Sequence, residues 1–205
     1  MRIKLPCLLL LGCLSGCGAS FPTLPADVKE ISIDGVAFAA PADGPWGVSL
    51  HNAYAINLGK DGKNSDESTI IDAFDFRAPA LEPGKDLVAT TREQEEADTS
   101  APRFVMKLHD VQAVTIGKAT CARSHMVAED HAPQVPSHAG KMMILEVLSL
   151  NCPHPDHPDL VAFNVGYSER YYPGDEDPDF MQKAMALMDS VRVIGWVDGH
   201  KKDAP

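Results

Sequence analysis

Short segments with an apolar residue at every second position run through most of the chain. Residues 28–38 alternate in this way around Asp34-Gly35, a dipeptide that favours a tight hairpin turn. Residues 48–58 alternate without a break and predict one strand with a single buried face. Further strands are predicted at 70–76, 103–116, 119–124, 142–150 and 160–167, with a short final strand at 193–197. The short connections between most of these segments predict an antiparallel sheet.

Two segments have helical character. Residues 86–96 begin with Asp86 as a capping residue and contain good helix formers, but their apolar face is thin, which predicts a surface helix. Asp177 and Pro178 are typical of a helix start, and apolar residues recur at helical spacing from 180 to 191. The chain is therefore predicted to form an α+β domain, an antiparallel sheet of about six to seven strands with two helices packed on it.

The first twenty residues have the composition of an export signal. Arg2 and Lys4 form a basic start, and the apolar segment from Leu5 to Leu14 is too short to cross a membrane as a helix. It ends in Leu14-Ser15-Gly16-Cys17, which resembles a bacterial lipobox, the motif cut before a cysteine whose sulfur has been acylated. The alternative is an ordinary cleaved signal with a chance cysteine.

The lipobox resemblance implies a lipoprotein whose mature N-terminus, Cys17, carries a diacylglycerol and an amide-linked acyl chain such as palmitate. Two or more acyl chains hold a protein stably on a bilayer. Gly18 follows the cysteine, and in Gram-negative relatives a residue other than Asp at that position favours the outer membrane. The resemblance thus implies a lipid-anchored protein of the bacterial cell envelope that faces the periplasm.

Removal of the signal makes the chain more acidic. Loss of Arg2 and Lys4 reduces the 18 basic residues to 16 against 29 acidic ones, so the net charge changes from −11 to −13. Such a domain is repelled by nucleic acid and by anionic lipid headgroups, and no cluster of Lys and Arg in the sequence offsets that repulsion. The composition therefore excludes nucleic-acid binding and is compatible with basic partners or cations.

The mature chain is expected to consist of a short tether and one domain. Residues 1–16 form the predicted signal peptide, and 17–26 link the lipidated cysteine to a single domain over 27–198. Residues 199–205 are predicted to be a flexible tail. About 175 residues are enough for one domain with a proper hydrophobic core.

Cysteine usage predicts one disulfide. Of five cysteines, two leave with the signal and Cys17 takes the lipid, so Cys121 and Cys152 remain in an oxidising compartment. A bond between them closes a loop of about thirty residues and stabilises the fold by roughly 3 kcal/mol. The alternatives are two free thiols, or Cys152 acting as a nucleophile beside His154.

The stretch NCPHPDHPD, residues 151–159, has two interpretations. Its imidazoles and carboxylates, with those of the predicted polar connection 125–140, are groups that Zn, Cu or Ni accept. The candidate metal ligands are His125, His131, His138, His154, Asp156 and His157. However, prolines at positions 153, 155 and 158 exclude a helix and favour an extended chain in which His154 and His157 point to opposite sides. A proline-rich turn anchored by the disulfide is therefore favoured, and no cofactor is expected.

A second cluster follows the strand over 160–167. The segment GYSERYYPG contains Tyr167, Arg170, Tyr171 and Tyr172, and tyrosine and arginine are frequent in binding hot spots. The favoured alternative is that these residues pack against the C-terminal helix. A strand ending in this segment, followed by a capped amphipathic helix ending in SVRVI, resembles exported lipoproteins of the Mog1/PsbP-like sandwich group. That resemblance implies a non-enzymatic domain that acts in assembly or binding.

Three functions remain open. No GxSxG, HExxH or paired-carboxylate motif stands out in the sequence, which lowers the expectation of catalysis without excluding it, because catalytic triads assemble in space. The leading prediction is a lipid-anchored envelope protein that binds another envelope component, expected to be a protein, without catalysis. The alternatives are a periplasmic metal-binding protein that uses the histidines of 125–157, and a hydrolase whose site assembles only in the fold.

Overall fold

Ten strands and two helices form the part of the chain that the computed structural model describes, residues 21–78, 81, 84–99, 103–132, 138 and 140–196. In chain order they are β1 (Glu30–Ile33), β2 (Val36–Ala39), β3 (Gly47–His51), β4 (Ala55–Asp61), β5 (Ser68–Arg77), α1 (Leu87–Asp98), β6 (Phe104–Ile116), β7 (Ala119–Asp130), β8 (Met143–Pro153), β9 (Val161–Tyr171), α2 (Phe180–Ser190) and β10 (Arg192–Val193). The predicted α+β class is confirmed, although the strands are more numerous than predicted.

All strand pairs among these elements are antiparallel, and they form two sheets. The large sheet has the order β3-β4-β5-β9-β8-β7-β6, and the small sheet has the order β1-β2-β10. The large sheet thus consists of two meanders, β3 to β5 and β6 to β9, which meet where β5 pairs with β9. Helix α1 connects the two meanders and lies against β6 and β7, whereas α2 contacts β2, β8 and β9.

One face of the large sheet, here called the core face, is apolar and covered by the small sheet and α2. Its buried side chains on the central strands are Ile56, Leu58, Ile71, Ala73, Leu148, Leu150, Phe163 and Val165. They pack in one cluster with Phe38 of β2, Trp46, and Phe180 of α2. Burial of each large apolar side chain contributes about 1.5–3 kcal/mol, so this face supplies most of the hydrophobic stabilisation. The opposite face, here called the cleft face, carries α1.

The hairpin predicted at Asp34-Gly35 is confirmed, because β1 and β2 are paired around it. Gly35 has a φ of 83°, a conformation that glycine adopts without strain. A Cβ at this position would also lie 3.2 Å from Cδ2 of His154. The turn therefore requires glycine for its backbone conformation and for the close approach of the histidine ring.

The predicted disulfide is present between Cys121 and Cys152. The two cysteines lie on the paired strands β7 and β8, just beyond the register pair Ala122 and Asn151. Both are buried in the core cluster. The bond therefore joins the end of β8 to the start of β7 beneath the small sheet and α2.

The single strand predicted over 48–58 is wrong, because the chain turns there and forms the hairpin of β3 and β4. Asn52 closes the turn: its side-chain oxygen accepts hydrogen bonds from the backbone N–H groups of Tyr54, at 2.8 Å, and Ala55, at 2.9 Å. Asparagine favours such turns because its side chain substitutes for a backbone acceptor. Apolar alternation continues on both sides of the turn, so the pattern alone did not reveal it.

The polar connection predicted over 125–140 is wrong in its first six residues, which continue β7 to Asp130. Polar side chains are accommodated there by partners on neighbouring strands. His125 lies 2.8 Å from Glu146 of β8, and buried Asp130 pairs with Arg103 and Arg170. These partners are distant in sequence. The polar composition of residues 125–130 was therefore interpreted as a loop, although these residues belong to β7.

Helix α2 begins at Phe180, two residues after Pro178, which was predicted to be its first residue. Asp177 is not the Ncap residue of the helix. Its carboxylate accepts a hydrogen bond from the N–H of Asp179 at 3.0 Å and pairs with Lys183. The Ncap residue is Asp179, whose side chain makes no capping hydrogen bond. Among the described residues, no helix is long and apolar enough to cross a membrane.

Residues 22–24, predicted as part of the tether, are hydrogen-bonded beside β3. The N–H of Val48 donates to the carbonyl of Pro22, and the N–H of Leu24 donates to the carbonyl of Trp46, each at 2.7 Å. The start of the domain is therefore earlier than the predicted residue 27. The predicted signal peptide, the lipidation site Cys17 and the tail 199–205 lie outside the described residues.

Replacement of both Cys121 and Cys152 by serine is expected to lower the free energy of unfolding by about 3 kcal/mol, because the bond closes a loop with a sequence separation of 31. Urea denaturation of the oxidised chain and of the double variant measures the difference. Equal unfolding midpoints would show that the bond contributes nothing to stability.

Candidate functional site

Polar contacts hold helix α1 on the cleft face, with Glu95 at their centre. The Oε2 atom of Glu95 accepts a hydrogen bond from Ser124 of β7 at 2.5 Å and lies 2.9 Å from Nε2 of His109. Its Oε1 atom accepts from Ser149 of β8 at 3.2 Å. The two serines are 1% and 6% exposed, so their hydroxyls depend on this carboxylate for hydrogen bonding.

The thin apolar face predicted for α1 is explained by these contacts. The predicted capping role of Asp86 is confirmed, because its side chain accepts a hydrogen bond from the N–H of Ala89 at 2.8 Å. The one buried residue of α1 is Thr91, and Arg92 donates to the carbonyl of His109 at 3.0 Å. The helix therefore turns a polar face toward a polar part of the sheet.

A cleft with a volume of about 860 Å³ lies between the first half of α1 and the large sheet. Its lining residues are Phe76, Arg77, Ala78, Leu81, Leu87, Thr90, Thr91, Gln94, Thr120, Asn151, Cys152, Pro153, Pro158, Asp159 and Ala162. This volume lies within the range of small-ligand sites, roughly 300–1,000 Å³. The cleft is therefore the candidate binding site.

Exposed apolar side chains surround the mouth of the cleft. Leu81 is 49% exposed and belongs to the lining, and Leu160, beside the lining residue Asp159, is 58% exposed. Phe74 is 39% exposed, and its ring centroid lies 5.8 Å from that of Phe76, which lines the cleft. Large exposed apolar side chains that lie together mark a surface that contacts a ligand or partner.

The floor of the cleft carries a polar group, the amide of Asn151, which has a second amide directly beside it on the next strand. Asn151 of β8 and Asn164 of β9 lie directly opposite each other, and the amide of Asn164 donates to the side-chain oxygen of Asn151 at 2.9 Å. Strand alternation places Phe74 next to them on β5, in register with Asn164. One amide pair and one aromatic ridge therefore lie side by side on the cleft face.

The next row across the sheet contains a second carboxylate. Ser124, Ser149, Gly166 and Asp72 lie opposite one another on β7, β8, β9 and β5. The Asp72 side chain lies over Gly166, where a Cβ would be only 2.7 Å from its Oδ1 atom. Burial raises the pKa of Asp72 above its ordinary value, against the effect of its own backbone N–H. Glycine at position 166 is thus the residue that leaves room for this carboxyl group.

The arrangement of Glu95, His109 and Ser124 does not match a nucleophilic triad. In a triad the imidazole lies between the hydroxyl and the carboxylate, so that it can take the proton of the nucleophile. Here the carboxylate lies between the serine and the histidine. Ser124 is also buried, which keeps its hydroxyl away from any substrate in the cleft. The three residues serve to dock α1.

The histidines of NCPHPDHPD have structural contacts on the core side of the sheet. His154 is 1% exposed; its Nε2 lies 3.1 Å from the carbonyl of Ile194, and its Nδ1 accepts from the N–H of Asp156 at 3.3 Å. The His157 ring stacks on that of His154, at 5.7 Å, and contacts the Trp196 ring at 5.0 Å. The expectation that the two rings point to opposite sides is wrong, because the segment forms a turn in which the N–H of His157 donates to the carbonyl of His154.

The remaining candidate metal ligands lie apart. His125 pairs with Glu146, His131 pairs with Glu129 at 2.9 Å, and the His138 ring packs on Tyr172 at 4.6 Å. Within the described ranges, no group of three or more His, Cys, Asp or Glu side chains is placed to hold a metal ion. Asp156 is exposed in the turn after β8, and its backbone N–H is the group that contacts His154.

The predicted tyrosine and arginine cluster lies mostly inside the domain. Tyr167 is 3% exposed and contacts the rings of Trp46 and Phe180; burial raises its pKa far above the ordinary value. Tyr172 is 4% exposed and donates to Asp66 at 2.6 Å. The other two residues are held by partners of opposite or polar character: Arg170 pairs with Asp130, and the Tyr171 hydroxyl donates to Glu146 at 3.3 Å.

The cleft residues were missed by the sequence analysis because each has an ordinary explanation when considered alone. Asn151 and Asn164 are single polar residues within apolar strands, and Gln94 lies on a polar helix. The signal that was present is the thin apolar face of the helix over 86–96. A helix with that face, placed between strands of one sheet, has to meet polar groups.

Comparison with known proteins assigns no family to the chain. No protein-family model and no curated protein matches its sequence. One similar solved structure is a protein of Bacteroides thetaiotaomicron VPI-5482, determined at 1.50 Å resolution, with a TM-score of 0.38 and 15% sequence identity. The alignment covers 81% of this chain and 48% of that chain, so this chain spans about half the length of that protein.

Glu95→Ala is expected to lower the free energy of unfolding by about 2–4 kcal/mol, because it leaves the buried hydroxyls of Ser124 and Ser149 without their acceptor. Glu96→Ala is the matched control, since the Glu96 side chain is 56% exposed, and its effect is expected to stay within about 0.5 kcal/mol. Urea denaturation measures both variants. Similar losses in the two would contradict the central role of Glu95.

Asp72→Asn is expected to stabilise the domain more at pH 7 than at pH 3. The pKa of Asp72 is raised in the folded state, so folding favours its protonated form, and that contribution is lost as the pH rises through the folded-state pKa. An amide at this position does not ionise and avoids the loss. Urea denaturation of the variant and of the unchanged chain at pH 3 and pH 7 measures the difference in their free energies of unfolding. The same difference at both pH values would contradict the raised pKa of Asp72.

Proposed function

We propose that the chain is a lipid-anchored bacterial envelope protein whose periplasm-facing domain binds another envelope component, without catalysis, in the cleft beside α1. The observation that carries the proposal is the cleft itself, about 860 Å³ in volume, with the amides of Asn151 and Gln94 in its lining and exposed apolar side chains at its mouth. Sites of this size with a few convergent polar groups are the usual places of ligand binding.

The anchor is supported by the sequence around Cys17 and by the position of the first described residues. Three residues lie between Cys17 and Phe21, so the four steps from one Cα atom to the next reach at most about 14 Å. Pro22 and Leu24 are hydrogen-bonded beside β3, at the edge of the large sheet. A lipid on Cys17 would therefore keep the β3 edge near the outer membrane, and the cleft floor on β8 and β9 would lie three to four strands away from it.

The absence of catalysis is supported by the hydrogen bonds within the cleft wall. Glu95 accepts from both serines and contacts His109, so the groups that could form a nucleophile and its base are occupied with one another in a non-productive order. The polar groups in and beside the floor include the amides of Asn151, which lines the cleft, and Asn164, its neighbour on β9; amides bind ligands but rarely transfer protons.

We also propose that the domain is related to the Mog1/PsbP-like sandwich group. Support comes from the order of its last elements, since the long strand β9 ends in the segment GYSERYYPG and is followed by α2. The contact of α2 with the core face of β8 and β9 agrees with a layered arrangement of this kind.

A photo-crosslinking residue at Leu160, on the rim of the cleft, is expected to give an adduct with an envelope component in cells that produce the full chain. Val105 is the matched control, because it is 41% exposed on β6 but remote from the cleft lining. Adducts from both positions, or from neither, would contradict the cleft as binding site.

The anchor is tested separately with Cys17→Ser. The unchanged chain is expected to sediment with membranes and to show the added mass of acyl chains, because lipidation needs the cysteine sulfur. The variant is expected to lack that added mass and to keep residues 1–16, because the signal is cut only after the cysteine sulfur has been acylated. An unmodified mass for the mature chain would exclude the anchor and leave the test of the cleft unaffected.

A further inference from the structure

The open polar groups of the cleft are uncharged groups that both donate and accept hydrogen bonds. The NH₂ group of Asn164 donates to the side-chain oxygen of Asn151. The side-chain oxygen of Asn164 and the NH₂ group of Asn151 have no partner among the described residues. Gln94, on the α1 wall, is exposed, and its side chain also makes no hydrogen bond within the described part of the chain. Amides in such positions complement hydroxyl groups, which likewise donate and accept.

An aromatic ridge borders these amides. Phe74 and Phe76 follow one another on the cleft face of β5, and Phe74 lies in register with Asn164. The ridge and the α1 wall stand on either side of β9 and β8. Strands are about 4.8 Å apart, so the floor between β5 and β7 is about 14 Å across. The floor is thus a shallow groove with flat aromatic surface on one side and amide groups at its centre.

The charges around the groove disfavour an anionic ligand. Among the described residues that line the cleft, Arg77 is the one cationic residue, and the negative charge of Asp159 offsets it. Glu95 and Asp72 lie on the same face, and the whole chain has a net charge of −11. Glu95 is also occupied by two serines and a histidine, so it does not offer a free charge to a cationic ligand.

We propose that the cleft binds a neutral glycan, with the C–H face of a sugar ring on Phe74 and Phe76 and its hydroxyls on Asn151, Asn164 and Gln94. This inference rests on the proposed function and names the chemistry of the envelope component. A glycan meets each feature of the groove: its rings have an apolar face for the aromatic ridge and a hydroxyl edge for the amides. It also carries no charge that the acidic domain would repel.

Direct titration of neutral oligosaccharides tests the inference. The full chain, purified in a detergent without a sugar headgroup, is titrated by calorimetry with hexa-N-acetylchitohexaose, cellohexaose and maltohexaose, and with hexalysine as a cationic peptide. At least one hexasaccharide is expected to bind with a Kd below about 1 mM. Phe74→Ala and Gln94→Ala are each expected to weaken that binding about tenfold through lost stacking or hydrogen bonds.

Leu108→Ala is the matched control, because Leu108 is 41% exposed on β6, away from the cleft lining. The affinity of this variant for the hexasaccharide is expected to be unchanged. Thermal unfolding of each variant shows that it is folded. Failure of all three hexasaccharides to bind, or binding that neither cleft variant weakens, would overturn the inference. Binding of hexalysine alone would also overturn it. If the glycan inference fails but the crosslinking residue at position 160 gives an adduct, the proposed binding function stands. If that position gives no adduct either, the glycan inference and the proposed function both fail.

Discussion

The carboxylate of Glu95 is the group on which the position of α1 depends. The helix has little apolar surface to bury, so it cannot be held on the sheet in the way that α2 is held on the core face. Its hold comes from hydrogen bonds to two buried serines and a histidine on three different strands. A fixed polar contact of this kind sets the distance between helix and sheet without filling the space beside it, and that space is the cleft.

The two faces of the large sheet therefore have different roles. The core face carries the apolar cluster and the Cys121–Cys152 bond, which stabilise the domain. The cleft face is polar at its centre and presents aromatic and amide groups around an open groove. NCPHPDHPD lies where the two faces meet: its histidines pack toward the small sheet, while Pro153, Pro158 and Asp159 form the end of the cleft. The two histidines of this stretch thus take part in the packing of a turn.

Sequence reasoning was most reliable where one residue type determines a local structure. Asp34-Gly35 predicted its hairpin, Asp86 predicted the start of α1, and the two remaining cysteines predicted their bond. It failed where the deciding partner is distant in sequence. The strand through His125 and Asp130 is stabilised by Arg103, just before β6, and by side chains of β8 and β9, and no local pattern reveals them. The candidate site has the same property, since the amides of its floor and the ridge beside them come from three strands.

The central claim is that ligands bind between α1 and the large sheet. Nuclear magnetic resonance of the isotope-labelled chain, titrated with the neutral hexasaccharide that binds most tightly in calorimetry, tests it most directly, because the side-chain NH₂ groups of Asn151, Asn164 and Gln94 give signals of their own. The account predicts that these signals and the backbone signals of α1 shift with the sugar, while those of β6 beyond the helix stay in place. Shifts confined to the core face or to the outer edge of β6, or no shift at all, would contradict it.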